Sequence, residues 1–193
     1  MIIFKSNLLA LLSHFASGSR KIEFMVLKIV KYGDPVLGLK AENVTRFDDE
    51  LKKLIEDMFE TMYAARGVGL AAPQVGVSKR LFVMDCSNNK EAPERFVFAN
   101  PQIISVEGEQ TGEEGCLSLP GFSGQVKRPA IVTISGQDQE GNQFTVTVKE
   151  LAARCVLHEV DHLNGLLYIH YLSPLKRDII KRKVKKQMRE GRW

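Results

Sequence analysis

The stretch Leu151–Leu163, Leu-Ala-Ala-Arg-Cys-Val-Leu-His-Glu-Val-Asp-His-Leu, decides how this chain is read. It is predicted as a helix and carries His158-Glu159-Val160-Asp161-His162, an H-E-x-x-H pattern. Residues four apart on a helix face the same way, about 6 Å apart, so two imidazoles can grip one metal ion. The glutamate beside the first histidine can then reach a water on that ion. The plain alternative is a surface helix with scattered polar residues, and the other motifs of the chain must decide.

Two histidines leave a metal under-ligated, so a third ligand is required. A metzincin protease would place a histidine six residues after the second, following a glycine; Gly165 is present, but the ligand position is Tyr168. A downstream acid, as in gluzincins, would have to be Asp178 or Glu190, both inside a basic tail. The ligand is therefore expected upstream, and cysteine is the best donor available. Cys155 shares the face of His158 but lies about 10.5 Å along the axis from His162, at about 1.5 Å per residue, so it reads as a small apolar wall of a pocket. Cys86 reads as an ordinary half-buried thiol. Cys116 lies in Glu114-Gly115-Cys116-Leu117-Ser118-Leu119-Pro120-Gly121, where glycine and proline let an extended backbone pass close to something; alone, this is equally a plain turn.

Working outward, Phe47, Leu51, Leu54, Ile55, Met58, Phe59 and Met62 recur at helical spacing. Asp48, Asp49 and Glu50 supply acid at the start, and Gly67 follows the end. Residues 67–76, Gly-Val-Gly-Leu-Ala-Ala-Pro-Gln-Val-Gly, read as a loop that permits close backbone approach to a ligand. It is not a phosphate loop, because no Gly-Lys-Ser/Thr follows. Short apolar runs at 81–84, 96–98, 103–106 and 131–134 read as strands. The last pairs with Phe144, Val146 and Val148 through a turn at Gly141-Asn142. A final helix opens at Ser173-Pro174, an N-cap followed by proline. The expected fold is α+β: short antiparallel strands around a central helix carrying H-E-x-x-H, with a C-terminal helix.

The chain has 193 residues, 44% hydrophobic and 26% charged, enough to bury a core and too few for two full domains. The longest apolar run is Leu8–Leu12, far short of a bilayer span. Three cysteines, an odd number irregularly spaced, exclude a closed disulfide framework. Residues 173–193 hold nine Lys/Arg against Asp178 and Glu190, a net of +7, leaving −3 on the rest of a chain whose total is +4. Such a tail suits a polyanionic partner or a solvated helix face. Residues 1–24 carry Lys5, Arg20 and Lys21 with no acid before Glu23. They read as a mis-assigned start ahead of Met25 or as a targeting segment; residues 25–172 form the expected catalytic domain and 173–193 the basic helix.

Taken together, G-x-G-L-A-A-P-Q-x-G, then E-G-C-L-S, then H-E-x-D-H-L-x-G, resemble the peptide deformylase family over roughly residues 25–190. One departure is local: many relatives carry an acid and an arginine where this chain has His170-Tyr171, which touches a peripheral ion pair and not the site. The resemblance implies removal of the formyl group from the N-terminal formyl-methionine of new polypeptides. It implies Cys116, His158 and His162 as ligands of one divalent ion, iron(II) in the cell, with zinc, nickel or cobalt able to replace it on purification. Glu159 would be the acid–base group, and the Gln74 amide with the Leu117 N–H would stabilise the oxygen on which charge develops. Val68, Gly69 and Cys155 would line the bound peptide, with Arg128 at the cleft mouth. The basic helix would dock on the ribosome. No membrane is involved, and the cytoplasm is the expected location, or an organelle if residues 1–24 are a transit peptide. The rival readings are another class of metalloprotease, a closed structural zinc site, which lacks a fourth ligand, and a nucleic-acid-binding module resting on the basic tail.

Overall fold

Asp48 starts the first helix: its carboxylate accepts the Leu51 N–H at 3.0 Å, and α1 runs Asp49–Ala64. Leu51, Ile55, Met58, Phe59 and Met62 form its buried stripe. Each such side chain contributes about 1.5–3 kcal/mol when fully buried. The computed structural model describes residues 24–87 and 92–193, so the expectations for residues 1–24 lie, Phe24 apart, outside the described residues.

Strands β1 (Gly69–Ala71), β2 (Leu81–Met84), β3 (Phe96–Glu107), β6 (Ile131–Gln137) and β7 (Gln143–Lys149) form one antiparallel sheet in the order β1-β2-β3-β6-β7. A second sheet pairs β4 (Gln110–Gly115) with β5 (Ser123–Arg128). The run Leu-Phe-Val-Met of β2 is apolar throughout because both sheet faces are covered. Leu81 and Val83 join α1 in one core cluster, whereas Phe82 and Met84 meet α2 (Glu150–Leu163) in another. Alternation along a strand makes this division obligatory. A third cluster gathers Leu119, Val126, Tyr168, Ile169 and Leu172 against Ile180 and Val184 of α3 (Pro174–Arg189).

The α+β architecture matches the expectation, and the β6–β7 hairpin has Val132 opposite Val148 and Ile134 opposite Val146. Three features differ. The apolar runs at 96–98 and 103–106 belong to one strand, β3, whose pairing with β6 shifts register on either side of Gln102. The loop 67–76 contains β1 and a short 3-10 turn at Ala72–Val75, which its small residues concealed. Strands β4 and β5 were not expected at all, because β5 buries Gly124, Val126 and Arg128 rather than an apolar stripe. On α3 the residues facing the body are Ile180 and Val184, whereas Leu175 and Ile179 stand 68% and 40% exposed. Among the described residues no helix is long and apolar enough to cross a membrane.

Candidate active site

Helix α2 presents His158 and His162 one turn apart, with ring centroids 5.0 Å from each other. Cys116 follows the last residue of β4 and brings its Sγ to 3.2 Å from His162 Nε2. One ligand atom from each of Cys116, His158 and His162 lies within 4.8 Å of the other two. Cys155 stays outside this group: its buried thiol donates to the Val68 carbonyl at 3.5 Å and forms part of the cleft wall. Cys86 is half-buried two residues past β2 and packs against the core cluster that contains Cys155.

The cleft beside this cluster has a volume of about 480 Å³. Val68, Gly69, Gln74, Leu117, Cys155 and Glu159 all line it. Gly69 is a steric requirement: a Cβ there would lie 2.5 Å from Glu159 Oε1 and 2.6 Å from Cys155 Sγ, both on buried side chains. Gln74 is oriented by the Ala71 N–H, which donates to its Oε1 at 2.8 Å. That leaves its Nε2 to donate to Cys116 Sγ at 3.5 Å and Ser118 Oγ at 3.4 Å. Glu159 is buried, and its Oε2 has no hydrogen-bond partner among the described residues. Burial pushes its carboxyl up to about 7, partly opposed by His158.

The ligand set fits a divalent cation. Burial alone would depress His158, but hydrogen bonds with Cys116 and Glu114 outweigh it and hold the imidazole well above the ordinary histidine value. His162 is pushed well below the ordinary value by burial first and then by the charges of His158 and Arg128, so it is neutral, as a ligand must be. A sulfur and two imidazoles leave one position of a tetrahedral ion open, the composition of a catalytic rather than a structural centre.

Arg128 is not at the cleft mouth. It is 4% exposed, and its Nε and second terminal nitrogen grip both oxygens of Glu114 at 2.9 and 3.0 Å. Its other nitrogen pairs with Asp161 at 2.7 Å. The alternation of β5 turns this residue inward, away from the cleft. Tyr171 stacks over the guanidinium at 4.3 Å and donates to Asp161 at 2.9 Å, closing the network at the position where the chain departs from the family pattern.

Three residues escaped sequence reading. Glu114 meets His158 Nδ1 at 3.1 Å, the arrangement that orients a ligating histidine. Burial would raise Glu114, but bonds from His158 and Arg128 bring it down to about 2. Arg154 adds a third contact to Glu114 at 2.8 Å, and Asp161 holds Arg128 from the helix side. A signal for Glu114 was present, since it stands two residues before Cys116 on an extended segment and shares its side.

Two histidines four apart on a helix, a thiol from a neighbouring strand end and a buried glutamate with an unpartnered oxygen define a mononuclear metal-dependent hydrolase. The sequence model described as polypeptide deformylase matches residues 26–178. A peptide deformylase of Acidobacterium capsulatum is 50% identical over 169 residues, covering 88% of this chain and 99% of that protein. A solved deformylase of Legionella pneumophila superposes with a TM-score of 0.80 at 48% identity, over 86% of this chain and 97% of that one. A solved deformylase of Ehrlichia chaffeensis in complex with actinonin gives 0.79 at 40% identity, over 85% and 98%. The chain belongs to the polypeptide deformylase family, and its reaction is hydrolysis of the formyl group on the N-terminal methionine of new polypeptides.

Proposed function

We propose that Cys116, His158 and His162 hold the metal of this deformylase, that iron(II) fills the site in the cell, and that Glu159 moves the proton. Held by these three side chains, a divalent ion would supply Lewis acidity for a water and for the formyl oxygen near neutral pH. Zinc binds such donors more tightly than iron, so a purified sample can carry zinc, nickel or cobalt. Glu159 carries the reading. A carboxyl raised to about 7, with one buried oxygen free, can accept a proton and return it to the leaving amine near neutral pH. The Gln74 amide, already aimed at the cluster, and the Leu117 N–H, which bonds no other group among the described residues, would bind the oxygen as charge builds there.

The peptide has a place to lie. Among the described residues β1 is an edge of the five-stranded sheet and β4 pairs only with β5, so an extended chain can enter between two strand edges with its backbone bonded. Val68, Gly69 and Cys155 supply the wall for its first side chain. The basic, exposed side of α3, with Lys181, Lys185 and Arg189, is proposed to meet the ribosome, in the cytoplasm or, if residues 1–24 are a transit peptide, in an organelle. The test is Glu159→Gln, followed by formate release from a formyl-methionyl peptide and by metal analysis. Turnover should fall at least about 100-fold with metal content near stoichiometric, and substantial retained turnover removes Glu159 from the chemistry.

A further inference from the structure

Arg66 lines the same cleft and takes no part in the chemistry above. It follows Ala65, the C-cap of α1, where the Gly67 N–H donates to the Met62 carbonyl at 2.9 Å and the Arg66 N–H to the Tyr63 carbonyl at 3.0 Å. These two bonds form the helix-ending motif whose central residue must be left-handed, and Arg66 has φ +57°. Glycine is the usual occupant because a Cβ is disfavoured there. This chain places its glycine one residue later and holds an arginine in the strained position. The arginine does nothing for the backbone that glycine would not do better. Its use must lie in the side chain, which is exposed and makes no ion pair or hydrogen bond among the described residues. The other cation of the cleft lining, Arg154, is committed to Glu114 at 2.8 Å.

We propose that Arg66 is a specificity-determining residue that binds an acidic side chain of the substrate a few residues beyond the formylated methionine. This rests on the reading that the cleft takes formyl-methionyl peptides. The formyl group must reach Cys116, His158 and His162, so the rest of the peptide leaves past the rim. An extended peptide advances about 3.3 Å per residue and sends alternate side chains to opposite walls. Arg66 stands on the α1 wall. Glu113 stands on the β4 wall, held by the Ser123 hydroxyl at 2.6 Å. Successive substrate residues therefore meet opposite charges, and an acid is favoured at one position rather than everywhere. A solvent-exposed pair of this kind changes affinity by roughly 1.5- to 5-fold and weakens with salt.

The experiment uses the metal-loaded protein and formyl-Met peptides of equal length, alanine elsewhere, with one Glu or Lys moved through positions two to four. The Glu-to-Lys ratio of kcat/KM should reach about three- to fivefold at one position, lie in KM, and decline in 0.5 M salt, on the order expected for an exposed pair. Arg66→Gly, which suits the left-handed turn, should bring that ratio to about one, and Arg66→Glu should invert it. A ratio unchanged in Arg66→Gly, or an equal acid preference at all positions, overturns the proposal. Fluorescence-detected binding of the same peptides reads the preference separately. A protein that releases no formate from the all-alanine peptide thus refutes the activity, while the Glu-to-Lys ratio in binding still decides Arg66.

Discussion

Replacing Arg128 by methionine separates a structural arginine from a substrate-binding one. The guanidinium makes two contacts with Glu114, at 2.9 and 3.0 Å, and one with Asp161 at 2.7 Å. The side chains of Arg128, Glu114 and Asp161 are 4%, 3% and 12% exposed, so solvent cannot replace the lost cation. Methionine fills similar space, leaves Asp161 without its one cation among the described residues, and leaves Glu114 with Arg154 and His158 alone. Removing one partner of a buried ion pair costs about 3–5 kcal/mol, because the remaining charge is left uncompensated. For a domain of this size each kcal/mol moves Tm by about 2–4 °C, so a loss of roughly 6–20 °C is expected. Arg128→Lys keeps the charge but cannot grip Glu114 with two nitrogens while reaching Asp161, and should lose less.

The measurement is thermal and urea unfolding after chelation in all variants, since bound metal stabilises whichever protein holds it. Its pH dependence adds a check on sign. Glu114 is held down to about 2, so its stabilisation is complete above the ordinary carboxyl value and is lost as pH falls toward about 2. Without Arg128 the same carboxyl protonates at higher pH. The deficit of the variant should therefore be largest near pH 7 and shrink below about pH 4.5. A change under about 1 kcal/mol together with a raised peptide KM would refute the buried-network argument and return Arg128 to the cleft.

Other expectations concern the ligands and the tail. Cys116→Ala should lose the metal by elemental analysis, whereas Cys155→Ala and Cys86→Ala should retain it; an empty site in Cys155→Ala would refute the geometry given for α2. The iron form should inactivate in air faster than the nickel form, with added oxygen found by mass spectrometry at Cys116, and an iron form stable for days would count against this. Reversing Lys181, Lys185 and Arg189 to Glu should abolish co-sedimentation with ribosomes at low salt and leave turnover of a short formyl-methionyl peptide nearly unchanged. Unaltered co-sedimentation would reduce the basic face to a solubility feature.

What the sequence disclosed and what it hid divide along residue chemistry. α1 and the β6–β7 hairpin were legible because apolar residues there recur with the period of the element. The histidine pair was legible because its spacing is itself the geometry. Cys116 needed the family pattern, since nothing local distinguishes a ligand from a buried thiol. β4 and β5 stayed hidden because their inward face is made of Glu114, Gly124, Val126 and Arg128, and a strand that buries ion pairs gives no apolar alternation. Arg128 was misplaced for the same reason: a charged residue near a strand end is ordinarily solvated, and burial is the exception that requires partners. Those partners come from β4 and α2, distant in sequence, so pairing could be read only after folding. The side of α3 that packs on the body was also beyond reach of the sequence. A helical wheel groups residues but does not say which group meets the body, and α3 turns Ile180 and Val184 inward.

The hidden network also accounts for the precision of the visible site. Asp161 lies between the two histidines of α2 and is held by Arg128 of β5 at 2.7 Å. Arg128 is held by Glu114 of β4, and Glu114 meets His158 Nδ1 at 3.1 Å. The circuit runs from α2 through β5 and β4 back to α2, two residues before Cys116. Rotating the helix to move either histidine would break a buried charged hydrogen bond, and sliding β4 to move Cys116 would break those of Glu114 with Arg128, Arg154 and His158. The small two-stranded sheet lies outside the five-stranded one, so apolar packing alone would leave its position soft. Directional, charge-assisted bonds fix what non-directional burial does not. An apolar replacement could match the network in stability, yet it would leave the distance from Cys116 to the two histidines undetermined.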